Sequence, residues 1–336
     1  MLGFILLFGA LAWPAWAQPY KPEYRLSTAI GPAYAWGRGA SIWAQLIKER
    51  TAGRITVRQF PGSSATAGDP SREFAALRDG TVDMAIGSTI NWADQVPVLN
   101  VFALPFFVAD PQVLDLLLRG EVGAAAFAAI QAAGVVPLAW GDNDFRSLST
   151  AGRPVRKPED LAGLRLRTGG AAIVDDALRV LGAAPAKMNF ATTQAALLAG
   201  TLDGQEITLP AFVATKSHTL GQLQVTAWKI AADPLVFAVS RAAWESWTAA
   251  DRDIVRRAAV DAAQQEIELA RAAASAAEGA VSKDLKGAGV KFVRPDADER
   301  AAFVLAIRPV TEKWTAVIGP DLVKTARTAM APAGKP

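Results

Sequence analysis

Strand and helix patterns alternate through residues 160–210, and this alternation constrains the fold more than any other feature. Residues 164–167 alternate leucine with arginine, the period of a strand with one buried face. The predicted order is strand 164–167, a helix from Ile173 that stops at Gly182, strand 187–190, a helix that closes at Gly200, and strand 202–207. Such an order is typical of an α/β unit with a mainly parallel sheet.

Arg167 lies at the carboxyl end of the first of these strands. Open α/β sheets bind their ligands at that end. A guanidinium group offers a planar fork that matches a carboxylate in two parallel hydrogen bonds. Arg167 is therefore a candidate carboxylate clamp, with a surface or interlobe salt bridge as the alternative.

Further candidates for a pocket wall come from the N-terminal half of the chain. Ser88 and Trp92 follow the predicted strand 82–87, and Tyr34 and Trp36 occupy a predicted strand-to-helix loop. Their positions at strand ends indicate ligand contact. For Trp92, packing in the core or at its rim is an equally good interpretation.

The length of 336 residues predicts two domains, each large enough for its own core. No low-complexity linker separates them, so we expect crossing strands to form the hinge, and residues 141–144 are a candidate crossover. From Arg241 an alanine-rich run reaches about Leu285, with a capping box at residues 248–251. A helix of that length can span both lobes.

The first 17 residues are apolar and end in Ala15–Trp16–Ala17, which predicts a signal peptide cleaved after Ala17. A short membrane anchor is the alternative, but the apolar run is shorter than the ~20 residues that a span needs. The chain has no cysteine, which excludes thiol catalysis and thiolate metal sites. Its net charge of +3 comes from dispersed basic residues, so no nucleic-acid partner is expected.

Motifs for catalysis or cofactor binding are lacking in the sequence. The glycines at residues 37–39 do not complete a dinucleotide fingerprint, and the single histidine, His218, is a poor general base for a hydrolase. Asp203 and Glu206 could pair for acid–base or metal chemistry, although hinge hydrogen bonding is the simpler interpretation of Glu206. We therefore predict no cofactor, no metal and no enzymatic activity.

The same 160–210 stretch also resembles a known family. It contains DLAGLRLRT, LGAAPAKMNF and LDGQE, preceded by Phe145–Arg146–Ser147 and by the segments FPGSS, LRDGTVDM and VFALPFF in the expected order. These segments are similar to those of the periplasmic solute-binding proteins of TRAP transporters, the dicarboxylate-binding-protein (DctP) family. The resemblance covers almost the whole chain after residue 17.

The resemblance implies a two-lobed periplasmic-binding-protein fold with crossing strands as hinge and a long helix spanning both lobes. Lobe I would comprise residues 18–143 and about 232–272, and lobe II residues 144–231 and about 273–331. It also implies a set of ligand-binding residues, which together with the strand-end candidates is Arg167, Arg146, Phe190, Trp92, Ser88, Tyr34, Trp36, Ile207 and Glu206. By this resemblance, Arg167 is the family's clamp arginine and Arg146 is a second arginine near the ligand's polar groups. Phe190 matches an aromatic residue that packs against the ligand.

Ile207 departs from the family pattern, which usually has asparagine there. An apolar side chain cannot donate a hydrogen bond, so the pocket should be drier on that side. This favours an anion with an apolar or aromatic body.

The function that follows is an extracytoplasmic receptor, monomeric and periplasmic, that delivers an organic acid to TRAP-type permease subunits. The alternatives are a secreted enzyme that uses Asp203 or Glu206 as a base, and a receptor that serves a sensor kinase.

Overall fold

A computed structural model describes residues 20–331, except for the side chains of Phe190 and Ala191. The predicted signal peptide and its cleavage site lie outside the described residues. Eleven strands in the described range form two sheets of five and six strands. The strands are β1 (Tyr24–Thr28), β2 (Val57–Phe60), β3 (Met84–Ser88), β4 (Val135–Phe145), β5 (Ser147–Thr150), β6 (Arg165–Thr168), β7 (Ala184–Lys187), β8 (Gly204–Ile207), β9 (Gln224–Thr226), β10 (Ala232–Ser240) and β11 (Lys291–Val293).

The first sheet has the strand order β2-β1-β3-β10-β4. β1 runs parallel to β2 and β3, whereas β10 runs antiparallel to β3 and β4. Every residue of β3 and β10 is buried, as expected for central strands covered on both faces. This sheet carries the core that includes Trp43, Phe237 and Trp247.

The second sheet has the strand order β11-β9-β5-β8-β6-β7. β6 runs parallel to β7 and β8, and β5 runs antiparallel to β8 and β9. β7 lies three residues earlier than predicted and contains Pro185. A proline is tolerated there because β7 is an edge strand of this sheet. Asn189 instead caps the next helix, accepting a hydrogen bond from Thr192 N at 2.9 Å.

Two chain segments connect the sheets, and they pair with each other at Arg146. β4 of the first sheet continues through Arg146 into β5 of the second, and β9 returns through residues 227–231 to β10. Arg146 N donates to Ala231 O at 2.8 Å, and Ile230 N donates to Arg146 O at 3.1 Å. The crossing strands expected from the sequence are thus confirmed, with Arg146 at the point where they meet.

Fourteen α-helices of the described range surround the sheets. They are α1 (Ala35–Arg50), α2 (Glu73–Arg78), α3 (Thr89–Trp92), α4 (Asn100–Ala103), α5 (Pro111–Arg119), α6 (Glu121–Ala132), α7 (Ala172–Val180), α8 (Phe190–Leu198), α9 (Leu209–Ala214), α10 (Arg241–Ser246), α11 (Ala249–Ser282), α12 (Ala297–Ala306), α13 (Arg308–Ile318) and α14 (Pro320–Met330).

The predicted long helix is α11, which contains 34 residues and begins at the predicted cap. Thr248 Oγ1 accepts a hydrogen bond from Asp251 N at 3.1 Å. The helix packs on α1 and β4 beside the first sheet, and on α9 and β11 beside the second. It therefore spans both halves of the molecule, as the sequence predicted.

No helix within residues 20–331 is both long enough and apolar enough to cross a bilayer.

Candidate functional site

A cavity of about 340 Å³ lies where the crossing segments meet, between the two sheets. The end of β3 and the start of α1 border it from the first sheet. The ends of β6, β7 and β8 border it from the second. Because these are mostly carboxyl ends of strands, the cavity occupies the position at which α/β sheets bind ligands.

Arg146 lies on the cavity wall, backed by Glu206. Its Nε donates to Glu206 Oε1, and its Nη2 donates to Oε2 at 3.0 Å, so the two side chains form a bidentate ion pair. Burial alone would raise the pKa of Glu206, but the charge and hydrogen bonds of Arg146 lower this pKa below its ordinary value. Glu206 is thus an ionised anchor for Arg146.

Arg167 lines the same cavity and is 6% exposed. Its Nε donates to Met188 O at 2.9 Å, and its Nη1 donates to Glu206 O at 3.4 Å. Burial, opposed by Glu206 and reinforced by the charge of Arg146, lowers the pKa of Arg167 to about 10. Two guanidinium groups therefore lie side by side with little water, an arrangement that an anion would stabilise.

A second carboxylate, Asp233, borders the cavity from the start of β10. Ser88 Oγ donates to its Oδ1, and Asn143 Nδ2 donates to its Oδ2 at 2.7 Å. Arg146 Nη1 lies 3.8 Å from Oδ2. Burial raises the pKa of Asp233, although Arg146 and the two hydrogen-bond donors act in the opposite direction.

Apolar side chains make up much of the remaining wall. Trp36 is buried and its indole Nε1 donates to Ile86 O at 2.6 Å, which fixes the ring. Ile90 and Ile207 are also buried, and Met188 is half-buried. These residues offer dispersion contacts and no hydrogen bonds to a ligand's carbon skeleton.

Tyr34 closes the cavity at the start of α1. Its half-buried position raises the pKa of the phenol, so the hydroxyl stays protonated at neutral pH. A protonated phenol can donate one hydrogen bond and accept another.

Six of the nine predicted site residues meet at this cavity. They are Arg167, Arg146, Ser88, Tyr34, Trp36 and Ile207. Glu206 lies behind Arg146 instead of on the wall, and the side chain of Phe190 lies outside the described part of the structure.

Trp92 requires a correction, because it is a core residue. It is fully buried, folds back over Gly87 and meets Phe74 edge to face with 5.3 Å between ring centroids. α3 begins immediately after β3 and rotates Trp92 away from the cavity, while Ser88 and Asn91 remain at its edge.

Sequence reasoning missed Asp233, Asn143 and the segment 187–189 as wall residues. One signal was available for Asp233, because an acidic residue interrupts the apolar run from Ile230 to Val239. Asn143 belonged to the predicted crossover, but nothing in its sequence context indicated which way its side chain faces.

The geometry gives little support to acid–base chemistry at Asp203 and Glu206. Asp203 forms an ion pair with Arg165 on the exposed edge, at 2.8 Å, whereas Glu206 is buried against Arg146. Among the described residues, no group of three or more histidine, aspartate and glutamate side chains could hold a metal ion.

The two sheets, the crossing segments and the cavity between them define the class of two-lobed solute receptors. A family model described as bacterial extracellular solute-binding protein, family 7 (DctP), matches residues 26–316. The chain belongs to this family, as its sequence segments indicated.

Solved structures agree with this assignment. A TRAP periplasmic solute-binding protein from Ralstonia eutropha, with bound (S)-2-hydroxy-2-methyl-3-oxobutanoate, is 49% identical and has a TM-score of 0.89. The match covers 93% of this chain and 99% of that one. A second, from Bordetella bronchiseptica with density assigned as pantoate, is 28% identical with a TM-score of 0.81, and the match covers 92% and 99% of the two chains.

A curated relative covers nearly the whole length. The C4-dicarboxylate-binding periplasmic protein DctP of Rhodobacter capsulatus is 27% identical over 333 residues, 98% of this chain and 97% of its own. The relatives thus carry names of receptors for different organic acids.

Proposed function

We propose that the chain is a periplasmic receptor that holds the carboxylate of a small organic acid on Arg167, with Arg146 beside it. The observation that carries this proposal is the pair of buried guanidinium groups on one cavity wall at the crossing segments. Arg146 forms a bidentate ion pair with Glu206. Arg167 takes the principal role because it stands at the position of the family's clamp arginine. A carboxylate there would offset the repulsion between the two cations.

The ligand class follows from the apolar part of the wall. Ile207 stands where the family pattern usually has asparagine, and Trp36 and Ile90 extend the apolar surface. The two related structures described above hold acids with one carboxylate, a hydroxyl on the adjacent carbon and a branched carbon skeleton. We infer that this chain binds a branched 2-hydroxy monocarboxylate of similar size.

The partner in this proposal is the pair of integral membrane subunits of a TRAP-type permease. Ligand binding would shift the population of the receptor towards the form in which the two sheets enclose the cavity, and this form would dock on the permease. The receptor would act as a periplasmic monomer after loss of its signal peptide.

A thermal-shift screen followed by calorimetry tests the ligand class. We expect branched 2-hydroxy monocarboxylates to raise the melting temperature more than C4-dicarboxylates or sugar acids do. Analysis of the ligand after incubation should recover it unchanged. Stabilisation by succinate alone would contradict the ligand class, and conversion of the ligand would favour the enzyme alternative.

A further inference from the structure

Asp233 places a buried carboxyl group in a cavity that is proposed to receive an anion. Its side chain is held in place by Ser88 and Asn143, and the residue is 2% exposed. Packing alone does not account for it, because neighbouring positions on β10 are apolar. A buried carboxylate opposes the entry of further negative charge.

The ion pair with Arg146 and the hydrogen bonds from Ser88 and Asn143 favour the ionised form of Asp233. With Asp233 ionised, the two arginines of the cavity and the two carboxylates that contact Arg146 sum to zero charge before any ligand enters. Arg146 and Arg167 contribute two positive charges, and Glu206 and Asp233 contribute two negative ones. At the border, Lys187 and Asp69 add one charge of each sign. A monocarboxylate therefore leaves one excess negative charge, whereas a dicarboxylate would leave two in a site with little water to screen them.

Asp233 also retains a place for a hydrogen-bond donor. Its Oδ2 accepts a hydrogen bond from Asn143 Nδ2 at 2.7 Å, while Arg146 Nη1 at 3.8 Å is too distant for a second. A carboxylate oxygen can accept two, so Oδ2 can receive a hydroxyl from a ligand whose carboxylate lies on the arginines.

We propose that Asp233 is a specificity-determining residue, which accepts a hydrogen bond from the ligand's 2-hydroxyl group and excludes a second carboxylate. This inference rests on the proposed function and assigns its selectivity to one side chain. It predicts that the neutral cavity and the fixed acceptor together restrict the receptor to hydroxylated monocarboxylates.

Calorimetry of the wild-type chain with three acids separates the effect of the 2-hydroxyl group from the effect of a second carboxylate. 2-Hydroxy-3-methylbutanoate and malate share the hydroxylated carboxylate half and differ in an isopropyl group against a second carboxylate, while 3-methylbutanoate lacks the hydroxyl. We expect 2-hydroxy-3-methylbutanoate to bind at least tenfold more tightly than either of the others. Malate or 3-methylbutanoate binding within threefold of it would overturn the inference, whether or not any variant folds.

Asp233→Asn then removes the charge and keeps the shape. The preference for 2-hydroxy-3-methylbutanoate over malate should fall at least tenfold, and the preference over 3-methylbutanoate about threefold, because the amide oxygen accepts a weaker hydrogen bond. Glu73→Gln is the matched control, since Glu73 is equally buried beside the first sheet but does not border the cavity. It should leave both preferences unchanged.

Different outcomes would contradict the role of Asp233 and the proposed ligand class. Unchanged preferences in Asp233→Asn would overturn the assignment to Asp233 while leaving the receptor intact. Failure of all three acids to bind the wild-type chain would contradict both the inference and the proposed ligand class.

Discussion

Arg165 and Arg167 lie two positions apart on β6 and have very different environments. The side chain of Arg165 is 49% exposed and pairs with Asp203 at the sheet edge. Arg167 is buried at the cavity, where two backbone carbonyls orient its fork. The same residue type is therefore a surface ion-pair partner at one position and a candidate ligand clamp at the other.

Replacing each arginine by lysine tests this difference. Arg167→Lys keeps the charge but loses the planar fork, so we expect ligand affinity measured by calorimetry to fall about 10- to 100-fold. Arg165→Lys should change the affinity less than twofold, because its partner lies outside the cavity. Similar affinities for the two variants would contradict the clamp.

At the scale of single residues, the sequence predicts the placement of a side chain where that placement depends on a local pattern. Arg167 could be placed because strand alternation and a strand end are readable over a few residues. Asp233 could not, since its orientation depends on the pairing of β10 with β3 and β4, far away in the chain. For Trp92 the sequence left ligand contact and core packing equally open, because one short helix turn decides the direction of its side chain.

At the scale of elements, α11 carries a buried carboxyl group, Glu266. Its Oε2 accepts a hydrogen bond from Asp142 N at 2.9 Å, next to the crossing segment. Burial raises the pKa of Glu266 to about 8. On the same helix, Arg271 bonds Asp142 and Asp115, so α11 is tied to β4 by two neighbouring contacts.

Glu266→Gln should therefore stabilise the protein at alkaline pH. A raised carboxyl pKa means that the stability present below the ordinary value of 4.5 is lost as the pH rises through about 8. At about 1.4 kcal/mol per pKa unit, the variant should gain up to ~5 kcal/mol over wild type at pH 9, and almost nothing at pH 4.5. Chemical denaturation across this pH range measures the difference.

Glu268→Gln provides the control for that series, because Glu268 is exposed on the same helix. Its unfolding free energy should follow that of the wild type at every pH. A constant offset between Glu266→Gln and wild type from pH 4.5 to 9 would contradict the role assigned to burial.

Gly39 allows α1 and α11 to approach closely. A Cβ at this position would lie 2.7 Å from Glu266 Cγ. We expect Gly39→Ala to destabilise the protein by about 1–3 kcal/mol through overpacking. Gly279→Ala, on α11 with nothing within 4 Å of the added atom, should instead stabilise it by up to about 1 kcal/mol. Equal effects in denaturant titrations would show that packing between the helices is not the cause.

Element types were readable from the sequence, and boundaries less so. β6, α7 and β8 match the predicted positions because alternation and glycine stops are local signals. β7 was misplaced because Pro185 argues against a strand unless the strand is known to lie at a sheet edge. That knowledge requires the assembled sheet.

At the scale of the whole molecule, the crossing segments join two sheets and place Arg146 between them. Its backbone pairs with the returning segment, and its side chain contacts Glu206 and lies near Asp233. The two-lobed architecture could be predicted from alternation, length and resemblance. The lobe boundaries stay a prediction, because the long helix α11 and the crossing segments belong to both halves.

The most direct test of the central claim is a crystal structure of the chain with 2-hydroxy-3-methylbutanoate. We predict that the ligand occupies the cavity with its carboxylate within hydrogen-bond distance of Arg167 and its isopropyl group against Ile207. A ligand bound elsewhere, or one in the cavity with its carboxylate directed away from Arg167, would contradict the account.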